Sequence, residues 1–401
     1  MYRPFLLAVA IAGLFVVASH ALEKVNTNDL QFLIVIFRHG YRATAYTYKN
    51  DPYGEKVWPG GFSSLTTGGT LQHYKLGKYL AKRYDGYIDK ERAIREVYTQ
   101  STNYDRTLQS AAANMAGWFP PTKNEVWDKT PLAKAWRPFP VRMSSDPALL
   151  GETDCEVIDK RPYRPDLQKI FDAIEKEHKE FLDMVRRNSG ESTMTVAKGL
   201  EQVSDVLRCQ KYAGIRLPAW VTPDVYNKIQ YLDNLRFHIW VGGNGDVERT
   251  RVNGGKLFKY FMDLFANKTK NAKDLQKRKA YVFASHDNSV GGLLSVLDLY
   301  DYGLTNIEKN MAIPLYANTL MFELYKDNTV RILHKNDTTE NNFENTDPIV
   351  LKHAKCDVRC PLTKLVELTK DYLPTTQEWE TECEDKSRRR FPVKRPVRIP
   401  Q

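Results

Sequence analysis

Arg38, His39 and Arg42 fall within five positions at the end of an apolar run, in the stretch "FLIVIFRHGYRAT" at residues 32–44. A buried strand does not normally end in two cations and an imidazole unless an anion meets them there. Two other stretches bring matching chemistry: Arg106 in "STNYDRTLQSAAANMAGWF" and the pair His286-Asp287 in "KAYVFASHDNSVGGLLSVL". Gathered in one crevice, the three guanidiniums would repel one another without an anion between them. Arginine forks donate two parallel charge-assisted bonds and suit the tetrahedral face of a phosphoryl group, so phosphate or a close mimic such as sulfate is the ligand class. The histidines and the aspartate add more than binding. An imidazole can attack phosphorus and split one displacement into two easier steps, and neighbouring cations keep its lone pair free. A carboxyl beside bound phosphate is pushed the other way, so Asp287 is expected to hold a proton for the departing alcohol. The arginines supply the positive charge that a Mg²⁺ would otherwise bring, and no metal or other cofactor is expected.

The elements that must position these residues share one shape: an apolar strand, a polar junction, then a helix-compatible pattern. The strands are Phe32 to Phe37, a short one around Val97 to Thr99, and Tyr281 to Ala284. Ser101 and Thr102 follow the second strand as expected helix caps. Continuous apolar strands alternating with helices predict an α/β fold, a mostly parallel sheet with helices on both faces, whose ligand sits beyond the carboxyl ends of the strands. All three junctions then converge on one crevice. Between the second and third strands the texture changes. "PDLQKIFDAIEKEHKEFLDMV" keeps helical spacing at Leu167, Ile170, Ile174 and Phe181, and "VERTRVNGGKLFKYFMDLF" is helical again. The expected organisation is a discontinuous catalytic domain over 22–155 and 275–385, with a mainly helical insertion or cap over 156–274.

With 401 residues and 42% hydrophobic content, the chain has ample core and is not disordered as a whole. Its first 21 residues read as a secretory signal peptide, with Arg3, an apolar run from Phe5 to Ala18, and Ser19-His20-Ala21 before a cut near Leu22. That run falls short of the ~20 residues needed to span hydrocarbon. No second stretch approaches that length, so a secreted product without a stable membrane anchor is expected. The formal charge is +10, but seven of those charges lie after Asp385, from Lys386 to Arg398 among three prolines. Residues 386–401 are therefore expected to be a basic, disordered tail and not a nucleic-acid site. Secretion makes the sequons at Asn267 and Asn336 usable and the five cysteines candidates for disulfides, with at least one left unpaired. Cys356 and Cys360 are close enough for a local bridge. A metal reading of this pair lacks a second pair or a histidine cluster to complete four ligands.

The other histidines read as ordinary. His178 falls on a solvated helix face, His73 shares a packing stripe with Leu76, Leu80 and Tyr84, and His238, His334 and His353 show no matching motif in the sequence.

Arg-His-Gly-x-Arg after a first strand, with a late His-Asp after another, resembles the histidine acid phosphatases, a branch of the phosphoglycerate-mutase-like superfamily. The likeness extends through "DPYGEKVWPGGFSSLTTGGTLQHYKLGKYLAKRY", "SHDNSV", "PLYANTLMFELY" and "CDVRCPL". It covers most of the mature chain, weakest in the helical insertion and absent from the tail. The resemblance implies a metal-free phosphomonoesterase acting on small phosphomonoesters. His39 would be the nucleophile, Arg38, Arg42, Arg106 and His286 the phosphate-binding groups, and Asp287 the proton donor. It also implies pairing of Cys155 with Cys383 and of Cys356 with Cys360. Vertebrate relatives carry a cysteine where Thr319 stands, paired with the counterpart of Cys209, so here Cys209 is left free. Relatives are often dimers, which makes a homodimer an expectation. Lysosomal relatives add a membrane span near the C-terminus, where this chain has its basic tail, and that favours secretion. Thr44 replaces a usual proline, which puts the rigidity of the first loop in question; Tyr41 is expected to line the entrance. The competing readings are a secreted protein that only binds phosphorylated ligands and a specialised inositol-phosphate phosphatase, which would need more cations around the entrance.

Overall fold

The computed structural model describes residues 25–151, 155, 164–299, 313–336 and 346–384. The signal segment 1–21 and the tail 386–401 lie outside the described residues.

β1 (Leu30–Arg38) runs through the middle of the sheet because both of its faces are apolar. Phe32, Ile34 and Ile36 point into one core, and Leu33, Val35 and Phe37 into the other. Such a strand is stable only between two layers. The other strands are β2 (Val97–Ser101), β3 (Val141–Met143), β4 (Ala280–Ser285), β5 (Thr319–Tyr325), β6 (Thr329–Lys335), β7 (Ile349–Leu351) and β8 (Cys360–Pro361). Their order is β3-β2-β4-β1-β5-β6-β7, with β8 against β6. Pairing is parallel from β3 to β1 and antiparallel from β1 outward through β5 and β6. The parallel part carries the three junctions.

One face is covered by the helices Thr67–Arg83 and Asp105–Trp118, through Leu76, Leu80, Ala111 and Met115. They approach so closely that a Cβ on Gly77 would lie 2.1 Å from Asn114 O, and one on Gly117 2.1 Å from Tyr74 O. The opposite face is covered by Lys256–Thr269 and Asp287–Val296, through Phe258, Phe261, Val290 and Leu293.

The segment expected as a single insertion over 156–274 packs in two ways. From Leu167 to Ile239 its buried residues gather around a core of their own, built on the helices Pro165–Glu177, Lys179–Ser189, Leu200–Tyr212 and Pro223–Trp240. The helix Lys256–Thr269 instead lies on the sheet, and a π-helical turn at Arg251–Gly255 leads into it. The helical spacing of Leu167, Ile170, Ile174 and Phe181 spans two helices, which meet at His178. That histidine is largely covered, its side chain 14% exposed, and not on a solvated face.

Disulfides join Cys155 to Cys383 and Cys356 to Cys360, and Cys209 is a buried free thiol. Among the described residues no helix is long and apolar enough to cross a membrane.

Candidate active site

Strand register brings the junctions together. In the parallel ladder Arg38 lies opposite Ser285, and Ser101 opposite Ala284. The next residues continue that alignment: His39 N donates to Ser285 O at 3.0 Å, and Thr102 N to Ala284 O at 3.1 Å. His39, Thr102 and His286 therefore emerge together at the carboxyl edge. Asp287 opens one helix, and Arg106 lies in the first turn of another.

The Arg-His-Gly loop lies against the start of the helix Thr67–Arg83, where only glycine fits. A Cβ on Gly40 would stand 2.4 Å from Gly69 O, and one on Gly69 2.2 Å from Tyr41 O. The loop is held by Gln72 Oε1, which accepts from Tyr41 N at 2.9 Å, and by Ser110 Oγ, which accepts from Gly40 N at 3.1 Å. His73, buried as its stripe predicts, is within 3.1 Å of Arg38 O through Nε2.

His39 is 2% exposed, and its Nδ1 lies 2.9 Å from Gly40 O. A carbonyl only accepts, so Nδ1 carries the proton and Nε2 keeps a lone pair. Burial first, then Arg38, His286, Arg106 and Arg42, hold this imidazole well below its ordinary pKa. The His286 ring centroid is 5.5 Å away and its Nε2 is 3.0 Å from Thr102 Oγ1. Burial and Arg106 push His286 down to about 3. Both rings are held toward the neutral form.

The three arginines differ. Arg38, 1% exposed, donates through Nη1 to Pro314 O at 2.6 Å, lies 2.9 Å from Asp287 through Nη2, and sits over Tyr316 at 4.2 Å. Arg42 forms a two-pronged pair with Asp205, 2.9 Å on each prong. Arg106 rests over Tyr104 at 4.4 Å, and its buried Nε has no hydrogen-bond partner among the described residues. Part of the anion expected between the guanidiniums is thus supplied by the protein itself, through Asp205 and Asp287.

Asp287 departs from its expected direction. Burial would raise its carboxyl, but Arg38, His286 and Arg42 outweigh that and hold it below the usual range. The expected upward push belongs to the state with a phosphoryl group in front of the arginines. The side chain is 28% exposed, open to a cavity of about 440 Å³ that His39, Arg42, Arg106 and His286 also line.

Other residues are placed differently from the sequence expectation. Ser101 ends β2, and the helix after it begins at Asp105 with no side-chain cap. Thr102 instead reaches His286 and lies 2.7 Å from Thr107 Oγ1. Tyr41 does not line this cavity; it packs on Tyr212 and Tyr316 and faces a separate one of about 520 Å³. Thr44 is fully buried; its Oγ1 donates to Tyr46 O at 3.0 Å, accepts from Tyr46 N at 3.2 Å and lies 3.3 Å from Asp205. These bonds brace the loop where a proline ring would otherwise stiffen it. Thr319 lies buried on β5, its hydroxyl donating to Ala317 O, while Cys209 Sγ is 3.2 Å from Tyr316 O–H. His334 has a partner after all, Asn318 Oδ1 at 2.9 Å.

Asp205 and Asp233 were not legible in the sequence as site residues. Asp205 lies 163 positions from Arg42, on a helix whose residues from Val203 to Gln210 are all buried. Its signal was a carboxylate and a guanidinium, Asp205 and Arg208, inside that run, where charges must be paired. Burial would raise Asp205, but Arg42 and Arg208 bring it down to about 2. Among the described residues no group of three or more His, Cys, Asp and Glu side chains could hold a metal ion.

Known proteins resemble this chain. Rat prostatic acid phosphatase (Rattus norvegicus) is 31% identical over 378 residues, covering 92% of this chain and 93% of the relative. Human lysosomal acid phosphatase (Homo sapiens) is 32% identical over 372 residues, covering 90% of this chain and 82% of the relative. Among solved structures, Hafnia alvei phytase in complex with myo-inositol hexakis sulphate superposes with a TM-score of 0.61 at 13% identity, over 88% of this chain and 98% of that one. The last likeness is one of fold. The family model of the histidine phosphatase superfamily (branch 2) matches residues 29–343, a span that includes all six crevice residues from Arg38 to Asp287, and the chain belongs to that family.

Proposed function

We propose that the protein is an acid phosphatase that hydrolyses small phosphate monoesters through a phosphohistidine on His39, without a metal. The observation that carries this reading is the state of His39: buried, neutral, with Nδ1–H fixed on Gly40 O and Nε2 free, among three arginines. Nε2 attacks phosphorus while Arg38, Arg42, Arg106 and His286 hold the phosphoryl oxygens. The ester P–O bond breaks, and the leaving alkoxide takes the proton of Asp287. Water then attacks phosphorus and passes a proton to the Asp287 carboxylate; the new P–O bond forms as the P–N bond breaks, phosphate leaves and the imidazole is restored. A phosphoryl dianion competes for Arg38 and so raises the Asp287 carboxyl, loading the acid only when substrate is bound.

The test is p-nitrophenyl phosphate hydrolysis across the pH range with a chelator present, beside His39→Ala. Chelator-resistant activity that peaks in acid and falls at least ~10³-fold in the variant is expected. Activity retained by His39→Ala would overturn the reading.

The finer expectations belong to the same proposal. The leading apolar segment supports cleavage near Leu22 and secretion. Exposed Asn267 suits glycosylation, whereas the Asn336 amide oxygen accepts from Asn318. A discontinuous α/β catalytic domain with a helical cap is supported by the separate core of the cap, from Leu167 to Ile239. A homodimer is supported by the strand β3 at the sheet edge, with Met143 exposed on it and Trp127, Leu132 and Trp136 exposed in the segment that precedes it.

A further inference from the structure

Beyond the phosphoryl pocket, the cavity wall is built from the helices Leu200–Tyr212 and Pro223–Trp240, and its charges are already matched. Arg42 is closed on Asp205 by two bonds of 2.9 Å. Arg208 donates to Asp233 at 2.8 Å, and Arg236 reaches the other oxygen of the same carboxylate at 2.9 Å. Glu201 lies 3.8 Å from Arg236 and accepts from Gly199 N. Asp233 is 1% exposed, so its charge cannot return to water if its partners leave. Drawing Arg42 off Asp205, or both Arg208 and Arg236 off Asp233, to serve a ligand would strand a buried carboxylate. The described residues lining the cavity include four arginines and four carboxylates, balanced before Arg38 is added from behind. Phe237, Trp240 and Ile313 complete the wall with apolar surface.

We infer that this cavity selects monoesters whose alcohol carries no second phosphate or other anion, with Asp233 as the specificity-determining residue. The inference rests on the phosphatase reading above. The reacting phosphoryl group is held by Arg38, Arg42, Arg106 and His286, with Arg42 still closed on Asp205. A second one on the same molecule would face Glu201, Asp205 and Asp233, and the cations beside them are held by those carboxylates. Discrimination comes from a repulsive surface as much as from an attractive one.

The test compares kcat/KM for p-nitrophenyl phosphate and for myo-inositol hexakisphosphate in the intact protein, in Asp233→Asn and in Glu201→Gln. The intact protein should favour the simple ester by at least ~100-fold. Asp233→Asn removes the carboxylate that Arg208 and Arg236 share and should narrow that ratio by ~10-fold or more, while Glu201→Gln, nearer the surface, should narrow it by ~3-fold. A ratio near one in the intact protein would overturn the inference and leave the phosphatase reading standing. If Asp233→Asn does not fold, Glu201→Gln decides, and an unchanged ratio there overturns the inference. An intact protein inactive on both substrates would overturn the phosphatase reading and this inference with it.

Discussion

Two carboxylates bound by arginine, Glu323 on β5 and Asp287 at the crevice, show how differently one sheet uses the same pair. Glu323 lies opposite Leu33 of β1 and is wholly buried. One of its oxygens accepts from Arg83 at 3.0 Å and from Tyr84 O–H at 2.9 Å, and the other accepts from Tyr325 O–H at 2.6 Å. Both oxygens are matched and water is excluded, so the arrangement has one state. Asp287 is held by Arg38 on one side and remains 28% exposed on the other, next to an Arg106 whose Nε has no partner among the described residues. A closed network specifies structure, whereas an open one keeps capacity for one more anion.

The sharpest way to break that comparison is at the open end. Asp287→Asn removes the proposed proton donor, and turnover of a simple alkyl phosphate should fall ~10²–10⁴-fold. p-Nitrophenyl phosphate, whose leaving group needs little protonation, should lose far less. Equal losses for the two esters, in steady-state assays, would remove Asp287 from the role of general acid.

At the closed end the effect moves from rate to stability. Glu323→Gln leaves Arg83 buried without its counter-charge and should cost about 3–5 kcal/mol in denaturant unfolding. The turnover number of the folded fraction should stay as it was. A variant as stable as the parent would show that the network does not hold the sheet to its helix.

The smallest effect is a pH slope. Burial pushes His73 down to about 3 and His334 to about 4, while an unfolded histidine titrates near ~6.5. Between those values the unfolded chain takes up protons that the folded one refuses, so stability falls as pH falls through this window. Asp205, held at about 2, acts in the same sense at lower pH: its contribution is present above the ordinary carboxylate range and is lost as pH falls toward about 2. The melting temperature should therefore drop by a few degrees between neutral and mildly acid pH, with a shallower slope in His73→Gln. An unchanged slope in that variant would mean that His73 is not a source of the pH dependence.

Much of the crevice was legible because strand ends advertise themselves. An uninterrupted apolar run such as Phe32 to Phe37 is buried on both faces, and whatever polar residues follow it mark the carboxyl edge. That logic places His39, Arg106 and His286 without knowledge of the helices. It fails for Ser101 and Thr102, where a preference for helix caps gave way to strand pairing and to the contact with His286. It fails also for Asp205 and Asp233, because helical periodicity marks a residue as buried and is silent about which distant cation it meets.

What the sequence by itself determined was the set of reactive groups and the edge on which they stand, since side-chain type and strand periodicity are local properties. Only the tertiary structure decided how those groups are poised. The lone pair of His39, the low carboxyl of Asp287 and the closed pairs of Arg42 and Arg208 depend on burial and on charges brought from far along the chain. Electrostatic energies vary with distance through space and with exclusion of water, and neither is written in the order of the residues.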